Sequence, residues 1–263
     1  MEEVKINGLR IAFQQKGKGH ALVLLHGALS DSRVWANQID ELSRDFSVIA
    51  WDNPGCGLSE DPPDTFRLKD FADCLASFIE DLKLDHPHIL GLSFGSGLAL
   101  ELYHHYPEIP KTLVLVSAYA GWAGSLPPEI VSERLRQGIR QSVLPPKEVV
   151  DEWIPTLFSD SVPREVVGKI ASIMSDFHPR GMRVMLSAFA EADLREMLST
   201  IKIPTLLIYG DLDKRSPLNV AKALHENIPS SKLVIIPGVG HEINIETPDE
   251  FNNEVRKYII FNS

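Results

Sequence analysis

Cysteine is scarce in this chain: Cys56 and Cys74 are its two examples in 263 residues. Two cysteines make no disulfide framework, and neither sits in a Cys/His cluster with metal-ligand spacing. Long apolar runs are missing too. The longest, such as Ala21 to Leu25, are far shorter than the roughly 20 residues that cross a bilayer. The amino-terminal Met1-Glu2-Glu3-Val4-Lys5 is charged and lacks the basic-then-apolar character of a signal peptide. Positive charge is in short supply, with a formal net charge of -10. That disfavours nucleic acid and anionic membrane surfaces as partners, since both demand clustered Lys and Arg. No Gly-rich phosphate loop stands in the right context, so no nucleotide cofactor is implied. These absences leave an expectation of a cytoplasmic protein without metal or cofactor, monomeric or homodimeric, whose partner is a small molecule.

What is present is a set of short, continuous apolar runs. Ala21–Leu25, Phe46–Trp51, His88–Leu90, Thr112–Val116, Thr205–Tyr209 and Lys232–Ile236 each end at a turn residue or a polar side chain. Apolar runs without alternation are what strands buried on both faces of a parallel sheet look like. Segments of helical period lie between them, for example Phe71, Leu75, Phe78, Ile79 and Leu82. Strand and helix in alternation predict a doubly wound α/β sheet. Val4–Ile6 and Leu9–Phe13 flank Asn7-Gly8, a two-residue hairpin signal, which makes the sheet mixed.

The alternation stops between about Tyr119 and Ile201. Pro127-Pro128, Pro145-Pro146, Pro163 and Pro179 mark helix starts there, each before an amphipathic run such as Ile130, Leu135 and Ile139. A stretch of that length without structure is unusual in a compact domain. The expected organisation is therefore a core of residues 1–118 and 202–263 with a helical cap, residues 119–201, inserted over one end of the sheet.

Gly91-Leu92-Ser93-Phe94-Gly95 directly follows a strand and opens a helix. A G-x-S-x-G turn needs its glycines because a Cβ there would collide with neighbouring elements, and it lifts the serine hydroxyl above the sheet at the positive end of the next helix. In that context it reads as a nucleophile elbow rather than a Gly-rich turn with an incidental serine. A serine hydroxyl needs a base to take its proton. Of nine histidines, His20, His86, His104, His105, His178 and His225 read as surface residues and His88 as structural. His241, in Gly238-Val239-Gly240-His241-Glu242 after the last strand, has the loop position of a base. The acid that orients it is sought in Gly210-Asp211-Leu212-Asp213. Asp213 is the candidate and Asp211 the runner-up, which could serve instead as a turn residue bonding backbone amides. A tetrahedral oxyanion requires donors as well. The N–H groups of Phe94 and Ala28 are expected to supply them, with Leu29 and Phe94 lining the acyl side of the pocket and His26 tying its loop to neighbours.

On these residues the chain resembles the α/β-hydrolase superfamily over essentially its whole length. The matching pieces, in order, are His26-Gly27, Asp52-Asn53-Pro54-Gly55-Cys56-Gly57-Leu58-Ser59, the turn at Ser93, Gly210 with Asp213, and Gly240-His241 followed by Glu246, Pro248 and Phe251. The resemblance implies a mostly parallel eight-stranded sheet and the Ser, Asp, His chain order seen here. Within the superfamily the chain looks most similar to enol-lactone hydrolases, C–C hydrolases and small carboxylesterases, in part through Ala192-Asp193-Leu194 and Arg215-Ser216-Pro217. A serine nucleophile argues against the carboxylate chemistry of epoxide hydrolases and haloalkane dehalogenases. Leu92 stands where many relatives carry His or Gln.

The function expected is hydrolysis of a small, mostly apolar carboxylic ester or lactone through an acyl-enzyme. One alternative is carbon–carbon bond hydrolysis of ring-fission products, which calls for a cation near the substrate carboxylate; Arg180, Arg183 and Arg195 are candidates. The other is a ligand receptor with a vestigial triad. Trp122, Trp153, Phe158, Phe177 and Phe189 stand in or near the cap as aromatic residues with no individual assignment.

Overall fold

The computed structural model describes residues 1–229 and 231–263. Eight strands form one sheet: β1 (Glu2–Ile6), β2 (Leu9–Lys16), β3 (Ala21–Leu25), β4 (Ser47–Trp51), β5 (His88–Leu92), β6 (Thr112–Val116), β7 (Thr205–Gly210) and β8 (Ser231–Ile236). Their spatial order is β1-β2-β4-β3-β5-β6-β7-β8. β2 runs antiparallel to both β1 and β4, and the other pairings are parallel. The hairpin closes through Asn7 and Gly8, whose φ of 50° and 89° give the doubly left-handed turn that fits strand twist.

The apolar runs occupy the places their patterns predict. β3, β5, β6 and β7 are buried along their whole length. β8 departs from the expectation of a strand buried on both faces: it is an edge strand, and only Ile236 in it is buried. An edge has a neighbour on one side only, so its apolar residues are covered in part.

Helices lie on both faces and connect the strands. A short 3-10 turn (Ser32–Trp35) precedes α1 (Ala36–Leu42); α2 (Leu68–Asp81) links β4 to β5, and α3 (Phe94–His105) links β5 to β6. α9 (Leu218–Asn227) links β7 to β8, and α10 (Ile243–Glu246) and α11 (Pro248–Phe261) close the chain. The chain turns one way from β3 to β4 and the other way from β3 to β5. Such a reversal opens a crevice at the carboxyl ends of the two strands, the usual ligand site of open α/β sheets. The loops after β3 and β5 carry Ala28 and Ser93.

Between β6 and β7 come α4 (Pro128–Gln141), α5 (Pro146–Leu157), α6 (Arg164–Met174), α7 (Pro179–Glu191) and α8 (Arg195–Leu198). α4, α5 and α7 begin on a proline and α6 directly follows Pro163. The first turn of a helix has no intrahelical use for an N–H, so proline costs nothing there. α4 is unlike its sequence pattern: Ile130 and Ile139 are exposed, and only Gly138 and Gln141 are buried. It meets α7 through Gly138, where a Cβ would lie 2.4 Å from Leu186 Cδ1.

Candidate functional site

Three loops at the carboxyl ends of β5, β7 and β8 bring Ser93, Asp213 and His241 together. Ser93 sits between β5 and α3 with φ 53° and ψ -110°. That strained conformation costs on the order of 1–3 kcal/mol and persists only where the surroundings impose it. Here they do. The Ser93 N–H donates to Val116 O at 2.9 Å, and Ser93 O accepts from the N–H of Ser96 at 3.0 Å. A Cβ on Gly91 would lie 2.2 Å from Gly95 O, and one on Gly95 would lie 2.2 Å from Leu25 O. The glycines are thus required by close backbone approach on two sides of the turn.

Asp213 is buried in the turn after β7. Its Oδ1 accepts from the N–H groups of Arg215 and Ser216, both at 2.8 Å, and its Oδ2 from His241 Nδ1 at 2.8 Å. Burial raises the carboxyl pKa, but the charge and hydrogen bond of His241 and the two backbone N–H groups outweigh it and hold Asp213 below its ordinary value. Because an ionised carboxylate only accepts, the proton of neutral His241 sits on Nδ1 and leaves Nε2 with a free lone pair. Asp211 instead accepts the N–H of Gly238 at 2.6 Å and shapes the turn.

The loop carrying His241 is held from several sides. Ser117 donates to His241 O at 2.9 Å. The His241 N–H donates to Leu157 O, at the end of α5, at 2.7 Å. Glu246 accepts the N–H of Gly240 at 2.9 Å and the hydroxyl of Ser159 at 2.5 Å. The loop after β3 is fixed in the same manner. His26 Nδ1 donates to Gly27 O at 2.8 Å, and its Nε2 accepts the N–H of Asn53 at 3.0 Å. Asp52 accepts the N–H groups of Ser32 and Leu58, so the Asp52–Ser59 stretch is a brace for this loop.

One narrow cavity joins these parts. Gly27, Ala28, Ser93, Phe94, His241 and Glu242 line its floor, while Tyr119, Trp122, Trp153, Leu157, Leu186, Phe189 and Arg215 complete the wall. Its volume is about 10 Å³, room for about one water molecule. As the first residue of α3, Phe94 has an N–H with no acceptor in its own helix. The Ala28 N–H has no acceptor among the described residues. Edge-to-face contacts run from Phe71 through Phe94 to Phe189 at 5.7 and 5.3 Å, and on to Tyr119 at 5.9 Å. They stiffen the apolar wall, each by about 0.5–1.5 kcal/mol beyond area burial.

The sequence model of the alpha/beta hydrolase family matches residues 22–254. The chain belongs to that family. It is 26% identical over 259 residues to the pimeloyl-[acyl-carrier protein] methyl ester esterase of Vibrio parahaemolyticus, covering 94% of this chain and 96% of that protein. A thermophilic esterase from Thermogutta terrifontis superposes with a TM-score of 0.93 at 28% identity, over 100% of this chain and 99% of that one. The enol-lactonase from Burkholderia xenovorans LB400 superposes at 0.91 with 22% identity, over 98% and 100% of the two chains, and so shares the fold. No helix among the described residues is long and apolar enough to cross a membrane.

Some candidate residues lie elsewhere. Leu29 has a φ of 59° and lines a separate small cavity with Cys56, Ile173 and Met185, not the one that holds Ser93. Arg180 pairs with Asp64 at 2.9 Å and Arg195 with Asp193, while Arg183 donates to Pro179 O. None of the three lines the Ser93 cavity. Of the unassigned aromatic residues, Trp122, Trp153 and Phe189 do line it. Arg215, Glu242, Leu157 and Leu186 were not expected there. Glu242, next to His241, is marked only by its burial, which pushes its carboxyl up to about 7.

Proposed function

We propose that this protein is a serine hydrolase of small carboxylic esters or lactones. The observation that carries the reading is the meeting of Ser93, His241 and the N–H groups of Ala28 and Phe94 on one cavity, with Asp213 behind His241. Its esterase relatives at 26% and 28% identity support the same class.

Ser93 Oγ attacks the substrate carbonyl carbon as His241 Nε2 takes its proton. The carbonyl oxygen becomes an oxyanion and accepts from the Ala28 and Phe94 N–H groups. Collapse breaks the bond to the alcohol oxygen, which leaves with the proton from His241. A water molecule then gives a proton to His241 and attacks the acyl-enzyme, which releases the acid and restores Ser93. Asp213 keeps the proton of His241 on Nδ1 throughout and stabilises the imidazolium. No metal or cofactor enters these steps. Residues 119–201 act as a cap on the core of 1–118 and 202–263; in support, α5 and α7 supply Trp153, Leu157, Leu186 and Phe189 to the wall over Ser93.

The test is steady-state hydrolysis of a p-nitrophenyl ester series by wild type and Ser93→Ala. Turnover that peaks at one chain length and vanishes in the variant is expected. Wild-type rates in Ser93→Ala would overturn the reading.

A further inference from the structure

Arg215 is the charged group on the cavity wall that none of these steps uses. It stands two residues after Asp213, partly buried, and lines both the Ser93 cavity and an adjoining outer cleft with Arg134 and Lys214. Its guanidinium lies over the Trp153 ring at 4.0 Å, and its Nη1 donates to Thr156 Oγ1 at 3.1 Å. Trp153 is itself pinned by its Nε1 donating to Gln141 Oε1 at 2.8 Å. The fork is therefore held in place before any ligand arrives.

Most arginines of the chain have carboxylate partners, among them Arg33 with Asp31, Arg67 with Glu191, Arg140 with Glu152 and Arg180 with Asp64. Arg215 has no carboxylate within ion-pair distance among the described residues, and neither has Arg134, whose Nη2 donates to Arg215 O at 2.9 Å. Burial and Arg134 both work against the Arg215 charge, and its pKa falls to about 10. Glu242, on the same cavity, is not close enough to pair, and burial keeps it protonated up to about 7. A preorganised guanidinium with open donors and no ion-paired carboxylate suits a planar carboxylate, which it can grip with two parallel hydrogen bonds.

We infer that Arg215 is the binding site for a carboxylate carried by the substrate itself, so that the ester or lactone cleaved at Ser93 belongs to the monoesters of dicarboxylic acids or their lactone equivalents. The inference rests on the hydrolase reading above and narrows it from small esters and lactones in general to acidic ones. Trp122, Trp153, Leu157, Leu186 and Phe189 then pack the hydrocarbon between the two ends.

The experiment compares kcat/KM for the monomethyl esters of succinate, glutarate and adipate with their dimethyl esters, in wild type, Arg215→Gln and Arg215→Lys. Wild type is expected to prefer one monoester over its diester at least tenfold. Arg215→Gln should cut that preference about 10- to 100-fold, mainly through KM, as loss of a charge-assisted pair implies. Arg215→Lys, with the charge but not the fork, should fall between. Wild type that cleaves the diesters with no monoester preference overturns the inference and leaves the hydrolase reading standing. So does a preference that survives in Arg215→Gln. If no ester is cleaved, the hydrolase reading fails. Calorimetric titration of glutarate into Ser93→Ala, with and without Arg215→Gln, then decides the carboxylate site. Binding that needs Arg215 supports it, and absence of binding, or binding indifferent to Arg215, overturns it.

Discussion

Asp213 meets His241 Nδ1 with one carboxylate oxygen at 2.8 Å while its other oxygen is committed to the backbone N–H groups of Arg215 and Ser216. The carboxylate is therefore not free to turn. In Asp213→Asn the oxygen must stay on the two N–H groups, and the amide NH2 must face His241 Nδ1. Nδ1 becomes an acceptor and the ring proton moves to Nε2, where it cannot take the proton of Ser93. The expected result is a fall in kcat of about 10⁴-fold with the fold intact, as such a tautomer switch costs elsewhere. Ester kinetics beside circular dichroism of the variant check it; a loss under tenfold would rule out this role for Asp213.

Glu242 sets a pH dependence of stability. Burial raises its pKa from 4.5 to about 7. The unfolded chain ionises at the lower value and the folded one at the higher, so the folded state holds more protons between them. Stability contributed by the protonated form is then lost as pH rises across that window, by on the order of 3 kcal/mol in all. Glu242→Gln removes the titration. Its melting temperature relative to wild type should rise between about pH 5 and about pH 8. A constant difference across that range would show that Glu242 does not titrate in this way.

Gly95→Ala tests the elbow without touching the chemistry of Ser93. The new methyl would lie 2.2 Å from Leu25 O and 2.8 Å from His26 O. Both are backbone atoms of β3 and its loop, which no rotamer change can clear. Urea unfolding should report a loss of at least about 1–3 kcal/mol, the usual range for overpacking. Stability equal to wild type would mean that β3 and α3 can part at no cost.

Leu186 projects from α7 onto the cavity wall. Leu186→Ala should destabilise the protein by about 2–5 kcal/mol through the void it leaves. The same void lengthens the acyl chain that fits, so the best p-nitrophenyl ester should be a longer one. A shortened or unchanged optimum would place the acyl group elsewhere.

The fold was legible in the sequence where local pattern decides it. Six apolar runs marked β3 to β8, Asn7-Gly8 marked the hairpin of β1 and β2, and the prolines at 128, 146, 163 and 179 marked helix starts to within a residue. Gly91 and Gly95 were legible because one short segment carries both the turn and its steric reason. Leu29 and Arg215 were not. Their placement depends on a left-handed turn after β3 and on α5 reaching the segment after β7, about sixty positions later in the chain. The exposed face of α4 likewise follows from its close approach to α7 at Gly138 and its hydrogen bonds to α5, which no periodicity encodes.

The hydrogen bond from His241 N–H to Leu157 O makes the end of α5 and the His241 loop one mechanical unit on the cavity wall. With space for about one water molecule, the cavity must widen before any ester reaches Ser93. A guest that prised α5 outward would displace His241 on the way in. α4 is tied into that unit as well: Gln141 accepts from Trp153 Nε1, and Arg140 and Gln141 donate to Glu152 of α5. Whatever moves α4 therefore also pulls on α5 and, through Leu157, on the loop that carries His241.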